Sequence, residues 1–120
     1  MSWDKHRAVE YARMHAGSST QHKCAHFVSN AIRAGGARLI NTHYAKDMGT
    51  NLYAAGFRPV SGSPQEGDVA VIQPTRGRTE GHACIYDGHG TWYSDFKQQT
   101  MYPGDGYRTQ QPPYQLYRHN

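Results

Sequence analysis

Apolar residues recur at helical spacing in two early stretches of the chain. Ala8, Val9, Tyr11 and Ala12 mark a first helix running from the capping residue Asp4 to about His15, with Gly17 as its stop. Phe27, Val28, Ala31 and Ile32 form the buried stripe of a second helix, which begins at Cys24 and ends at Gly35-Gly36. A third helix is expected from Ala45 to Ala55, weakened by Gly49 and closed by Gly56-Phe57. The pattern then changes. Pro64-Gln65-Glu66-Gly67-Asp68 reads as a turn into Val69-Ala70-Val71-Ile72, a run apolar on both faces and therefore a central strand. Beyond a polar, basic loop from Gln73 to Glu80, two strands are expected, His82 to Tyr86 and Thr91 to Phe96, joined by the hairpin turn Asp87-Gly88-His89-Gly90. The tail from Lys97 to Pro113, rich in Gln, Tyr, Gly and Pro, reads as an irregular loop, and Tyr114 to Arg118 as a last strand. Helices first and a mainly antiparallel sheet afterwards is an α+β order.

At 120 residues the chain is expected to form one domain, residues 1–120. A hydrophobic fraction of 37% and a mean hydropathy of −0.85 imply a thin core, to which the nine tyrosines contribute. The excess of 13 Lys and Arg over 9 Asp and Glu gives a net charge of +4, which suits polyanions such as nucleic acid, anionic lipid or the bacterial cell wall. The basic residues are scattered and no nucleic-acid module appears, so nucleic-acid binding is not expected. Met1-Ser2-Trp3-Asp4-Lys5-His6 lacks the apolar core of a secretory signal, and no run is long enough to span a bilayer, so neither membrane insertion nor self-directed export is expected. A substrate outside the cytosol would have to be reached by some other delivery.

Cys24 carries the chemistry. At a helix N-terminus, unpaired N–H groups and the macrodipole favour a thiolate, and Lys23 adds positive charge, so this thiol is expected to ionise readily. Alternation along Gly81-His82-Ala83-Cys84-Ile85-Tyr86-Asp87-Gly88 puts His82, Cys84 and Tyr86 on one strand face, with Ala83 and Ile85 on the other. If the His82 face packs on the Cys24 helix, the imidazole reaches the thiol and can take its proton. Asp95, on the paired strand, is the best placed acceptor for the other ring nitrogen. A nucleophilic Cys on a helix followed by a His on a strand is the order of a papain-like thiol hydrolase. By residue type and spacing alone, core packing of Cys24 and a solvated Asp95 stand beside this reading.

Lys23-Cys24-Ala25-His26-Phe27-Val28, Gly67-Asp68-Val69-Ala70-Val71-Ile72 and the Gly81 to Gly88 segment, in this order, resemble the CHAP and NlpC-type branch of papain-like peptidoglycan hydrolases. The resemblance spans about Tyr11 to Asp95. It implies a papain-like fold with Cys24 as nucleophile, His82 as general base and then acid, and Asp95 as the orienting residue. It also implies an amide of peptidoglycan as substrate, cleaved through an acyl-enzyme without cofactor or metal. The Cys24 N–H would serve the oxyanion, with Gln21 or the Tyr11 hydroxyl as candidate helpers. Arg76 and Arg78 stand as candidates for stem-peptide carboxylates, against ordinary solvated loop charge. His26 and Cys84 depart from the family pattern without removing a catalytic group.

Four other readings are open to the same residues. The Cys24 segment also looks like that of lecithin:retinol acyltransferase-like proteins, but there the histidine precedes the cysteine. His22, Cys24 and His26 would share a face to hold a metal only on an extended strand, not on a helix. A non-catalytic wall-binding module would leave Cys24, His82 and Asp95 unexplained as a set. Cys84 is either a buried inert thiol or a disulfide partner of Cys24. A lone catalytic domain of this kind resembles amidase effectors injected through type VI secretion, with an acidic immunity protein as expected partner; a phage lysin or tail-associated hydrolase would look similar.

Overall fold

The computed structural model describes residues 3–19 and 21–120; Met1 and Ser2, which open the polar start of the chain, and Thr20, in the polar run before Cys24, lie outside it. The first helix, α1 (Lys5–His15), is capped as expected: the Asp4 carboxylate accepts from the Arg7 N–H at 3.1 Å, and Ala8, Val9 and Ala12 are its buried residues. The helix ends at Ala16, and Gly17 instead makes a parallel bridge with Phe96. The second helix, α2 (Cys24–Ala34), starts at the cysteine and buries Ala25, Val28, Ser29, Ala31 and Ile32, with Phe27 only half-buried at the edge of the stripe. The predicted third helix is two pieces, a 3₁₀ turn at Ala45–Asp47 and then α3 (Met48–Ala54). Gly49 is required there by packing: the Tyr117 hydroxyl lies against its Cα, where a Cβ would collide.

Six strands form one antiparallel sheet: β1 (Arg58–Val60), β2 (Val69–Ile72), β3 (His82–Tyr86), β4 (Trp92–Tyr93), β5 (Lys97–Gln98) and β6 (Tyr114–Arg118), in the spatial order β1-β6-β2-β3-β4-β5. All four β2 residues are buried, as a run apolar on both faces requires. The hairpin turn holds, with Asp87 Oδ1 accepting from the His89 and Thr91 N–H groups at 2.7 and 3.0 Å. The strand predicted from Thr91 to Phe96 breaks at Ser94-Asp95, and the chain turns back into β5 with Trp92 opposite Gln98. The tail is not irregular throughout, for it holds β5 and a short helix, α4 (Asp105–Gln110).

The sheet separates two cores. On one face Val69, Val71, Ala83, Ile85 and Tyr93 pack with α1, α2 and α3. On the other, Ala70, Ile72, Cys84, Trp92 and Leu116 are covered by Tyr107 of α4 and the neighbouring Met101 and Tyr102. This corrects the expectation that the His82 face lies under the Cys24 helix, because Ala83 and Ile85 are the β3 residues in the helical core.

Gly67-Asp68 opens β2 as the resemblance implies. Asp68 is fully buried and accepts from Arg118 Nε and Nη2 at 2.8 Å each and from the Gln65 N–H at 2.8 Å, tying β6 to the turn before β2. Arg118→Met would leave this buried carboxylate without its counter-charge. Urea unfolding is expected to show a loss of about 3 kcal/mol, and an unchanged midpoint would show that the pair is dispensable.

Candidate active site

A cleft of about 1020 Å³ opens at the end of the sheet where α2 begins. Its walls are the start of α2, the Asn41 to Ala45 segment, the loop before β3, Phe96 and the α4 segment. Cys24 and His82 both line it. Gly81, at φ +76, turns the chain into β3, and a Cβ there would lie 2.5 Å from the Ile72 carbonyl oxygen. That turn sets His82 opposite Ile72 at the first position of the strand, on the cleft rim.

Cys24 is positioned from across the chain. Lys23, the N-cap of α2, makes no side-chain capping bond. The fully buried Asp95 carboxylate instead accepts from the Gln21 N–H at 2.6 Å and the Lys23 N–H at 3.0 Å, and from Ser94 Oγ at 3.2 Å. Between these two bonds His22 is held at φ +58, a left-handed conformation that costs a residue with a side chain about 1 kcal/mol or more. Arg78 Nη1 donates to His22 Nδ1 at 2.6 Å, fastening the same segment to the loop before β3.

His82 is oriented by Gln98, not by Asp95. Its Nε2 lies 2.8 Å from Gln98 Oε1, and Gln98 Nε2 donates to the carbonyls of Thr100 and Met101 at 3.0 Å each. With both amide hydrogens directed at carbonyls, the amide oxygen must face the ring, so Nε2 carries the proton and Nδ1 is the basic nitrogen. The register accounts for the partner. Tyr86 pairs with Trp92 and Trp92 with Gln98, which puts Gln98 on the His82 face of the sheet. Asp95 sits in the turn between β4 and β5, where its side chain is committed to the segment before α2.

Burial pushes the Cys24 thiol pKa above its ordinary value; the Ala83 N–H opposes this, the Asp95 charge adds to it, and the Ala25 and Cys24 N–H groups oppose it. The helix-start N–H groups thus act as expected, yet burial outweighs them. Burial also holds the His82 imidazole below its usual value, against the Gln98 hydrogen bond and the Asp95 charge, with Arg78 lowering it further. Both shifts favour the uncharged forms, a thiol and a neutral imidazole.

Of the substrate-binding candidates Tyr11, Gln21, Arg76 and Arg78, only Arg78 lines the cleft, which His22 and His26 also line. Tyr11 stacks on His15 at 3.9 Å and packs against the helical core. Gln21 is turned to Asp95, with its Nε2 3.4 Å from the Asp95 carbonyl oxygen, and the Arg76 N–H donates to Gln110 Oε1 at 3.0 Å. Cys84 is fully buried in the second core, with Sγ 3.7 Å from the Met101 carbonyl oxygen. His26 Nε2 meets Asn30 Nδ2 at 3.2 Å, and among the described residues no cluster of His, Cys, Asp and Glu is placed to hold a metal ion. No helix among them is long and apolar enough to cross a membrane.

Alkylation of Cys24 by iodoacetamide follows the thiolate fraction. Since a raised pKa leaves less thiolate at any given pH, the rate is expected to climb through the ordinary cysteine range, with its midpoint above the free-thiol value. A plateau already reached at neutral pH would reveal a preformed thiolate–imidazolium pair and overturn the neutral assignment.

No protein-family model and no curated protein matches the chain. Solved structures do. The native type VI effector–immunity complex Tae3–Tai3 from Ralstonia pickettii matches at 44% identity and a TM-score of 0.95, covering 98% of this chain and 100% of the matched one. The selenomethionine form of that complex matches at 46% identity and a TM-score of 0.89, covering 92% and 98%. Ly7917 shares the fold, at 17% identity and a TM-score of 0.60, over 97% of this chain and 62% of that one. With the whole of a 44% identical chain matched, this protein belongs to the Tae3 family of type VI effectors.

Proposed function

We propose that this effector is a cysteine amidase that hydrolyses an amide bond of bacterial peptidoglycan in a competing cell. The observation that carries this reading is the pairing of Cys24, at the start of α2 against the Ala83 N–H, with His82, whose Nε2 is held by Gln98, in one open cleft. His82 Nδ1 takes the thiol proton as Sγ attacks the amide carbonyl. The Cys24 N–H donates to the oxygen that becomes negative. As the tetrahedral intermediate collapses, the imidazolium gives its proton to the departing amine. A water, deprotonated by the same ring, then releases the acyl group from sulfur.

The division of labour between the two polar partners follows from their contacts. Gln98 fixes the tautomer and plane of His82, while Asp95 fixes the backbone that presents the thiol. The Asp95 charge also favours the imidazolium that forms during the reaction. Arg78, on the cleft wall, is suited to a carboxylate of the stem peptide. Because the matched relatives were solved as effector–immunity complexes, an immunity protein is the expected partner of this chain.

Purified peptidoglycan incubated with wild type should release new fragments by mass spectrometry, with release reduced at least about 10³-fold in Cys24→Ala and about 10²-fold in Gln98→Ala. Equal release by wild type and Cys24→Ala, or release by neither, sinks the thiol mechanism. Export of the protein to the periplasm of a susceptible host should cause lysis where cytosolic expression does not. Growth unaffected by periplasmic expression would count against the wall as target.

A further inference from the structure

Two side-chain polar atoms among the described residues are buried with no hydrogen-bond partner, Ser29 Oγ and the Tyr107 hydroxyl. Native folds keep few such groups, and each calls for an explanation. Ser29 lies on the buried stripe of α2. Tyr107 is placed differently. It is only 5% exposed, yet it lines the same cleft as Cys24 and His82, and its ring centroid lies 5.8 Å from that of the imidazole. A charge at Cys24 is felt at this phenol, and burial pushes its pKa up to about 12, so the hydroxyl remains a neutral donor at any working pH. Its ring is fixed by the second core, stacked at 6.5 Å from Tyr102.

We propose that the Tyr107 hydroxyl donates a hydrogen bond to the acyl oxygen of the bound substrate, sharing with the Cys24 N–H the charge that develops there. This assignment rests on the thiol acyl-transfer reading above. As the Sγ–C bond forms, the carbonyl π pair moves to oxygen, and Tyr107 stabilises it without giving up its proton. When the pair returns, the C–N bond breaks and the amine leaves with the proton held by His82. The hydroxyl itself is shielded from water, a setting in which a hydrogen bond to an oxyanion has the most effect. Seating the acyl oxygen calls for a small outward shift of α4, a helix of only six residues with Gly104 before it and Gly106 within it.

Two small reagents separate this role from a structural one. An activated ester such as p-nitrophenyl acetate acylates Cys24 through an oxyanion, whereas iodoacetamide alkylates it by displacing iodide and forms none. Tyr107→Phe keeps the ring and removes only the unpaired hydroxyl, and a melting temperature equal to or above that of wild type would show the fold intact. The expected result, read as the Cys24 adduct by mass spectrometry, is acylation slowed about 10²-fold with alkylation within about twofold of wild type, while Cys24→Ala forms no adduct at that position with either reagent. Acylation at the wild-type rate, a parallel fall of both rates, or no acylation of wild type overturns the assignment. The acylation-specific loss in a protein that releases nothing from peptidoglycan would retire the wall-amidase reading and leave Tyr107 standing. Peptidoglycan cleaved at equal rates by wild type and Tyr107→Phe would do the reverse.

Discussion

The buried carboxylate of Asp95 holds the site together by gripping the backbone that leads into α2. It accepts from the Gln21 and Lys23 N–H groups, and its own carbonyl accepts from the Gly17 N–H at 2.8 Å, so the segment between α1 and α2 is stitched to the turn between β4 and β5. Those bonds flank His22 in its left-handed conformation, which Arg78 also grips through the imidazole, and they lie at the end of α2 that carries the thiol and has no side-chain cap from its own N-cap residue. The same charge acts on both members of the pair. It raises the pKa of Cys24 and of His82 together, disfavouring a thiolate while favouring an imidazolium. A residue that reads as the third member of a triad is therefore the scaffold on which the other two are arranged.

Periodicity and caps made most of the frame legible. Asp4 and Gly35 bracketed α1 and α2 because a capping carboxylate and a glycine stop act locally. The β2 run announced its central place because only a strand buried on both faces is apolar at every position. Other elements carried no local signal. β1 is a three-residue edge strand with Pro59 inside it, and α4 is short and contains Gly106, so both are held by tertiary contact against poor intrinsic preference.

The site was legible in part for the same reason. Alternation in β3 says that His82, Cys84 and Tyr86 share a face, but it cannot say which layer covers that face. Here the small and branched pair, Ala83 and Ile85, goes to the helices, while the reactive face meets the tail. Gln98 was hidden because its place depends on the reversal at Ser94-Asp95, which an alternating pattern from Thr91 to Phe96 disguises. Extending the hairpin register one strand further, from Tyr86 through Trp92, is the reading that would have reached it.

The burial that favours an uncharged Cys24 has a consequence for durability. It is the thiolate that attacks peroxides and disulfides, so a cysteine whose environment favours the protonated form is a poor target for oxidation. Burial that disfavours the Cys24 thiolate thus shelters the thiol wherever the surroundings are oxidising, and Cys84, sealed in the second core, offers no easily reached partner for a disulfide. Under the mechanism proposed above, such an effector would stay chemically quiet in transit.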